Sequence, residues 1–499
     1  MNQANTQTYG TNSSSRVLGN NYATVASAEC RSKLEGKRFH FMGAGGIGMS
    51  GLAQLLIKNK ALVAGSDQIS TEVTDNLRRI GADIRIGHKI ENLSPETDAV
   101  VISAAIREDN AELVSARRLG CRVYKYAEML GELMNLYDGI AISGTHGKST
   151  TSGWLTYLLK KAGIDTNYIV GAAISQLGSS SGVADSRYFV AEACEYDRSF
   201  LNLKPRIACV LNIEQDHLDY YKDEDEIVET FGQFVAGTKS EGVVIANGQD
   251  ANVAKIIADS HRSRSDASLR CETFGLDATC DFYADNVKLV DGLPTFGVYR
   301  SGELLGSARI SLPGIHNVMN ALAVTAMAIH AGLEPEQVLE MLGDFTGIDR
   351  RLMLKGQVGR IAVLDDYAHH PTEIRASLEA IRQKYRPGRI LCVFQPHQYS
   401  RTRFLLDDFT ESFKLADVTI VPEIYFVRDS QSARKEINAQ ILVDKMRANG
   451  TEALFIESFD DICDYLKSNV SAGDLVVTMG AGDIWKVSDD YLQWLGGNS

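Results

Sequence analysis

Two glycine-rich loops, each set between a short apolar run and a helix-period pattern, constrain this chain more than any bulk property does. The first lies in "RFHFMGAGGIGMSGLAQLL", where Gly43, Gly45 and Gly48 follow a strand-like run. The second lies about a hundred residues on, in "GIAISGTHGKSTTSGWLTYLL", where Gly144, Gly147, Lys148 and Ser149 follow another. Both read as strand, loop, helix. Segments around them, such as "ALVAGSD", "DAVVISA", "RIACVLNI" and "EGVVIAN", continue the alternation of strand and helix that builds a parallel sheet wrapped by helices.

At 499 residues the chain has room for about three domains. The α/β pattern restarts twice, near "GIAIS" and near "IAVLDDYAHH". We therefore expect three consecutive α/β domains: a Rossmann-like unit over 37–135, a central P-loop ATPase-like unit over 136–346 and a second Rossmann-like unit over 347–499. Residues 1–36, rich in Asn, Ser and Thr, read as a polar tail.

A net charge of −13 argues against a nucleic-acid surface, although a local loop and one Lys can still bind a small anion. The eight cysteines form no C-x-x-C pair, and several sit in apolar runs, so buried reduced packing residues are expected and zinc or disulfides are not. No apolar run is long enough to span a bilayer, and the first residues lack the apolar core of a signal peptide. The cytoplasm is the expected compartment.

The first loop is G-x-G-x-x-G after a strand, with Asp67 of "AGSD" following. Its glycines can admit a diphosphate at a helix N-terminus, and the later acid can accept from a ribose hydroxyl. That fits an NAD-type dinucleotide or a UDP-type sugar nucleotide. The second loop ends as a P-loop does: Lys148 can reach the β and γ phosphates of ATP and Ser149 can ligate Mg²⁺. Ile142 replaces the first glycine of the full P-loop pattern. Two later strand ends carry acids. Glu192, Glu195 and Asp197 follow one; Glu214, Asp216, His217 and Asp219 follow the next. Glu192 and His217 are expected as Mg²⁺ ligands, and the other acids as solvated loop residues.

Taken together, "GTHGKSTT", "NIEQDHLDYY", "LPGIHNVMNALA", "DRRL", "DDYAHHPTEI", "QPHQYSRTR" and "MGAGDIW" resemble the Mur ligase family, the ATP-dependent amide-bond ligases of peptidoglycan precursor synthesis. The resemblance runs in family order from about residue 38 to 487. It implies that the first loop binds UDP-N-acetylmuramate through Gly43, Gly45, Gly46, Ile47, Gly48, Asp67 and Ser103. It implies that ATP lies on Gly144, Thr145, His146, Gly147, Lys148, Ser149 and Thr150. His316, Asn317 and Asn320 would then meet the adenine, Arg351 the γ phosphate and Asp366 the ribose. Ser149, Glu192 and His217 would hold Mg²⁺. Tyr367, His369, His397 and Arg401 would face the acyl phosphate and the carboxylate of L-alanine. The implied enzyme is a monomer or homodimer that needs neither nucleic acid nor membrane insertion. The chain departs from the family at Cys194, Tyr196 and Gln398. At Gln398 an Arg is usual, and a glutamine amide cannot make a bidentate guanidinium–carboxylate bond, so either Arg401 suffices or Arg403 compensates.

Overall fold

The computed structural model describes residues 33–263, 269–427, 429 and 433–497. The expected polar tail therefore lies, apart from residues 33–36, outside the described residues. The three consecutive α/β units are present as three sheets.

The first sheet has five strands, all parallel: β1 (Arg38–Met42), β2 (Leu62–Asp67), β3 (Asp83–Ile86), β4 (Ala99–Ile102) and β5 (Arg122–Lys125), in the order β3-β2-β1-β4-β5. β1 is buried from Phe39 through Met42, as a strand covered by helices on both faces must be. Strand order reverses between β1 and β4. The Gly43 loop leaves β1 and Ser103 follows β4, so both open into the crevice where parallel sheets bind ligands.

The central sheet has ten strands: β6 (Asp138–Ser143), β7 (Asn167–Ile174), β8 (Ser179–Gly182), β9 (Tyr188–Glu192), β10 (Ile207–Val210), β11 (Val243–Asn247), β12 (Arg270–Gly275), β13 (Phe282–Val290), β14 (Leu293–Arg300) and β15 (Glu303–Arg309). Their order is β15-β14-β13-β12-β11-β10-β6-β9-β7-β8. β6 pairs in parallel with β10 and β9, which places the second glycine loop at this sheet's switch point. The helix Lys148–Lys161 that follows buries Trp154, stacked on Phe345 at 5.3 Å. β13, β14 and β15 form an antiparallel extension.

The third sheet comprises β16 (Met353–Val358), β17 (Ile361–Asp366), β18 (Ile390–Phe394), β19 (Val418–Val421), β20 (Ala453–Phe455) and β21 (Leu475–Met479), ordered β16-β17-β21-β18-β19-β20. Only β16 runs antiparallel to its neighbour. Cys209, Cys280, Cys392 and Cys463 are buried and unpaired, as expected; Cys194 is exposed. Among the described residues no helix is long and apolar enough to cross a membrane.

Candidate active site

The second glycine loop is stitched to the segment after β10. His146 N donates to Asn212 Oδ1 at 2.7 Å, Asn212 Nδ2 donates to His146 O at 3.1 Å, and Glu214 N donates to Thr145 Oγ1 at 2.9 Å. Gly147, at φ +84°, turns the chain into the helix. A side chain there would meet Asn320 Oδ1 at 3.0 Å, so the loop and the Ile315–His330 helix are in close approach. Lys148 Nζ donates to Gly144 O at 2.5 Å, to Thr145 O at 3.1 Å and to Glu195 Oε1 at 3.0 Å.

Glu195 is not a solvated loop acid. It is buried, lies 2.9 Å from Lys148 and 3.4 Å from His217 Nε2, and is held below the usual carboxylate range because the Lys148 charge and the hydrogen bond from His217 outweigh its burial. Asp216 corrects the expectation in the same way. It is buried, accepts from Arg401 Nε at 3.0 Å and Nη2 at 2.9 Å, and is driven far below its ordinary value by that guanidinium despite burial. Asp197 and Asp219 are exposed, as expected. Glu192 accepts from Gly171 N and from the Ser149 hydroxyl, while burial raises its pKa. Ser149 and Glu192 thus touch, and His217, at φ +56°, joins them only through Glu195 and Lys148. A carboxylate, a hydroxyl and an imidazole around a phosphate loop fit Mg²⁺, which takes few protein ligands and completes its shell with water and phosphate oxygens.

A cavity of about 600 Å³ opens between the central and third sheets. Gly147 and Thr150 line one wall with His316, Asn317 and Asn320; Arg351, Asp366 and Glu373 line the facing wall. Asn317 Nδ2 donates to Pro313 O and Asn320 Nδ2 to Asn317 Oδ1, an amide relay at the helix N-terminus. Burial keeps His316 neutral, with a pKa lowered to about 4, and raises Asp366 to about 6 against the pull of Arg351 and Ser377. Arg350 and Arg351 diverge. Arg350 donates to Asp365 and to the carbonyls of Gly480 and Gly482, whereas Arg351 faces the cavity and donates to Glu373 at 3.1 Å. Arg350 at φ +59° and Leu352 at φ +45° both take left-handed backbone on either side of Arg351. Side chains with a Cβ pay about 1–2 kcal/mol for that conformation.

The remaining expected residues gather beside it. Tyr367 lies under both guanidiniums, 5.1 Å from Arg350 and 5.3 Å from Arg351, and its ring meets His369 edge-on at 5.4 Å. His369 in turn lies 6.1 Å from His397, whose Nδ1 is 3.3 Å from Arg401 Nη1. Burial lowers His369 to about 3, so it is neutral at physiological pH. The Arg401 guanidinium is already engaged by Asp216.

In the first loop, Gly45 N donates to Asp67 Oδ2 at 2.7 Å and Gln68 N to Asp67 Oδ1 at 2.7 Å, so the acid is folded onto its own backbone. Gly46 caps the Ile47–Lys58 helix, and Ile47 is half exposed. A Cβ on Gly48 would stand 2.6 Å from the Tyr126 ring. Tyr126 is partly buried, and Glu192 acts on its hydroxyl electrostatically. One aromatic ring thus stands between Gly48 of the first loop and Glu192 at the end of β9.

Residues 38–138 match the Mur ligase family catalytic domain, 142–328 the Mur ligase middle domain and 350–482 the Mur ligase glutamate ligase domain. The chain is 42% identical to a UDP-N-acetylmuramate–L-alanine ligase of Acetivibrio thermocellus over 460 residues, covering 92% of this chain and 96% of that one. The chain belongs to the Mur ligase family. A Clostridium botulinum protein of the same name is 40% identical, over 92% of this chain and 98% of its own. Among solved Mur ligases, the Thermotoga maritima UDP-N-acetylmuramate-alanine ligase superposes with a TM-score of 0.75 at 26% identity, covering 93% and 100% of the two chains. A murein peptide ligase from Psychrobacter arcticus gives 0.67 at 27%, covering 92% and 99%.

The departures from the Mur ligase pattern have visible contacts. Tyr196 packs edge-on against His217 at 5.1 Å and so buttresses it. Gln398 is buried at φ +71°, and its amide reaches toward Val427 O at 3.5 Å. Arg403 pairs with Glu436 and is partly exposed, so it does not stand in for the missing Arg. Glu195, Asp216 and Glu214 are the residues that sequence reasoning undervalued; Glu214, expected as a solvated loop acid, is partly buried and accepts from Thr372 Oγ1 at 2.7 Å. Their signal was proximity to Glu192 and His217, but spacing alone does not distinguish a buried acid from a solvated one.

Proposed function

We propose that this chain is the ligase that joins L-alanine to the carboxylate of UDP-N-acetylmuramate, driven by ATP, in peptidoglycan precursor synthesis. The observation that carries this reading is the cavity between the central and third sheets, with the phosphate loop on one wall and Arg351 on the other, in a chain 40–42% identical to ligases of that name over 92% of its length. The division into units near residues 136 and 347 belongs to the same reading, as does a cytoplasmic monomer or homodimer.

Adenine would rest against His316, Asn317 and Asn320, whose amides supply both donor and acceptor, and Asp366 would accept from the ribose. Lys148, now held by Glu195 and two loop carbonyls, would exchange those carbonyls for phosphate oxygens, with the amides of residues 144–150 around them. Ser149, Glu192 and His217 would hold Mg²⁺, which when bound offsets phosphate charge. Arg351 would meet the transferring phosphoryl group from the opposite wall. A carboxylate is a poor electrophile. Transfer of the γ-phosphoryl to the lactyl oxygen makes that oxygen a leaving group; the alanine amine attacks the carbonyl, and phosphate departs as the amide forms. Neutral His369 with His397 and Tyr367 would hydrogen-bond the acyl group, and Arg401 would orient the amino acid while remaining tied to Asp216. The Gly43, Gly45, Gly46, Ile47 and Gly48 backbone, with Asp67 and Ser103, would bind the UDP diphosphate and ribose.

The test is phosphate release from ATP with Mg²⁺ and UDP-N-acetylmuramate, adding L-alanine, glycine, L-serine or the cell-wall tripeptide. Release that requires both the sugar nucleotide and L-alanine, with an amide product by mass, is expected. Release only with the tripeptide would reassign the chain as a recycling ligase; the Psychrobacter arcticus relative is named a murein peptide ligase. No coupled release with any acceptor would sink the reading.

A further inference from the structure

A cluster at the junction of the central and third sheets has a donor set unlike that of the phosphate site. His146 from the glycine loop, Glu214 from the segment after β10 and His370 from the N-cap of the Pro371–Tyr385 helix each turn one ligand atom inward, all within 4.8 Å of one another. His146 Nε2 lies 3.5 Å and His370 Nδ1 3.9 Å from Glu214 Oε2. The two rings are tilted against each other, with centroids 4.7 Å apart.

Each ring has its outer nitrogen held. His146 Nδ1 is 3.3 Å from Glu373 Oε1, and His370 Nε2 is 3.2 Å from the Gln215 carbonyl. A carboxylate or carbonyl on the far nitrogen is the usual outer support of a metal-bound histidine; His370 Nδ1 accepts from Thr372 N at 3.3 Å, a bond the metal would replace. His146 Nε2 is buried and makes no hydrogen bond. Glu214 is fixed in turn by Thr372 Oγ1 at 2.7 Å.

We propose that His146, Glu214 and His370 form a site for a borderline-soft divalent cation such as Zn²⁺, separate from the Mg²⁺ of the phosphate site, that clamps the glycine loop to the third sheet. Two imidazoles and one carboxylate make a three-ligand set with a fourth position for water, which suits Zn²⁺ and is poor for Mg²⁺, which prefers oxygen. Bonds of about 2.0–2.1 Å in a tetrahedron put ligand atoms roughly 3.3 Å apart, so the 3.5 and 3.9 Å separations would close by about 0.2 and 0.6 Å. The two imidazoles, whose ligand atoms lie within 4.8 Å of each other, would close by at most about 1.5 Å. Without the metal, the His146 ring stands between Glu214 and Glu373, 3.5 and 3.3 Å away, and a proton on Nε2 is the alternative occupant of the site. The cation would take that proton's place and join loop to helix more firmly.

The full chain, freed of metal by chelator and kept in millimolar Mg²⁺ without nucleotide, would be titrated with Zn²⁺ and, separately, with Co²⁺. The expected result is one Zn²⁺ per chain, intense visible Co²⁺ bands of a four-coordinate nitrogen–oxygen site, and a Tm that rises with Zn²⁺. His370→Gln and Glu214→Gln should each weaken binding about 100-fold and abolish the Tm rise, with metal-free Tm and circular dichroism showing that the variants fold. His217→Ala should leave binding intact. Failure to retain Zn²⁺ would overturn the proposal in favour of a proton-only bridge. So would loss of binding in His217→Ala with retention in His370→Gln, or a pale six-coordinate Co²⁺ spectrum.

Discussion

The two glycine loops share a plan and differ in how they handle charge. Both leave a strand at a switch point and enter a helix, yet the first carries no cation, and its one acid, Asp67, is satisfied by the amides of Gly45 and Gln68. The second carries Lys148, whose charge is matched by the buried Glu195. On the proposed function, the first loop would offer shape and backbone donors to a ligand that only has to be held, and the second would keep a charged pair ready for phosphate whose charge shifts during reaction. A loop that binds and a loop that takes part in chemistry can thus be told apart by what neutralises them.

Removing the cation should break the comparison most visibly. Lys148→Met is expected to lower phosphate release by about 10³-fold and, because it strands Glu195, to cost about 3–5 kcal/mol in urea unfolding. Activity within tenfold of the unaltered chain would show that the two loops are alike after all. Next is an acid in the first unit that no lysine or arginine neutralises. Burial works against the charge of Glu112, yet bonds from His40, Ser66 and Asn92 hold its pKa at about 2, against 4.5 when free. A lowered folded pKa gives stability that is present above pH 4.5 and lost as pH falls toward 2, on the order of 3 kcal/mol in all. Acid unfolding of Glu112→Gln should lack that decline, while the unaltered chain shows it.

Gly48→Ala, whose new Cβ would press on Tyr126, should raise KM for the UDP-sugar about tenfold through a strain of about 1–3 kcal/mol, leaving KM for ATP within twofold. Equal rises in both would mean that Tyr126 couples the loops more tightly than the comparison allows. Smallest is Asp67→Asn. An amide oxygen still accepts from Gly45, so loss of charge should change KM for the sugar about fivefold or less, read from initial rates at saturating ATP.

Much of this was legible in the chain because it is local. Glycines after an apolar run, Lys148 before a helix and amides opening Ile315–His330 each announce themselves within a few residues. The sheet extension was missed although it too had a local signal. Asp291-Gly292 and Ser301-Gly302 both take left-handed backbone and turn β13 into β14 and β14 into β15, and such dipeptides between alternating runs mark hairpins. Other features had no such mark. Arg401 meets Asp216 across 185 residues, and Glu195 is a lysine's partner only because β9 and the glycine loop share a sheet edge. Charge pairing of that kind is decided by topology, and spacing carries no record of it. The choice between Arg350 and Arg351 was equally hidden: neighbours in sequence, they face opposite ways on a backbone that is left-handed at Arg350 and again at Leu352.

That backbone has a consequence for anyone who would engineer the protein. Leu352 occupies a conformation in which glycine would sit without strain. Leucine there also packs against the core of the third unit, so Leu352→Gly trades an apolar contact for backbone ease; a library selected for growth should exclude it whatever it does to heat resistance, because the relaxed chain no longer aims Arg351 into the cavity. Sites where selection for growth and selection for heat resistance pull apart would locate, by genetics alone, the points at which this fold trades ease for aim.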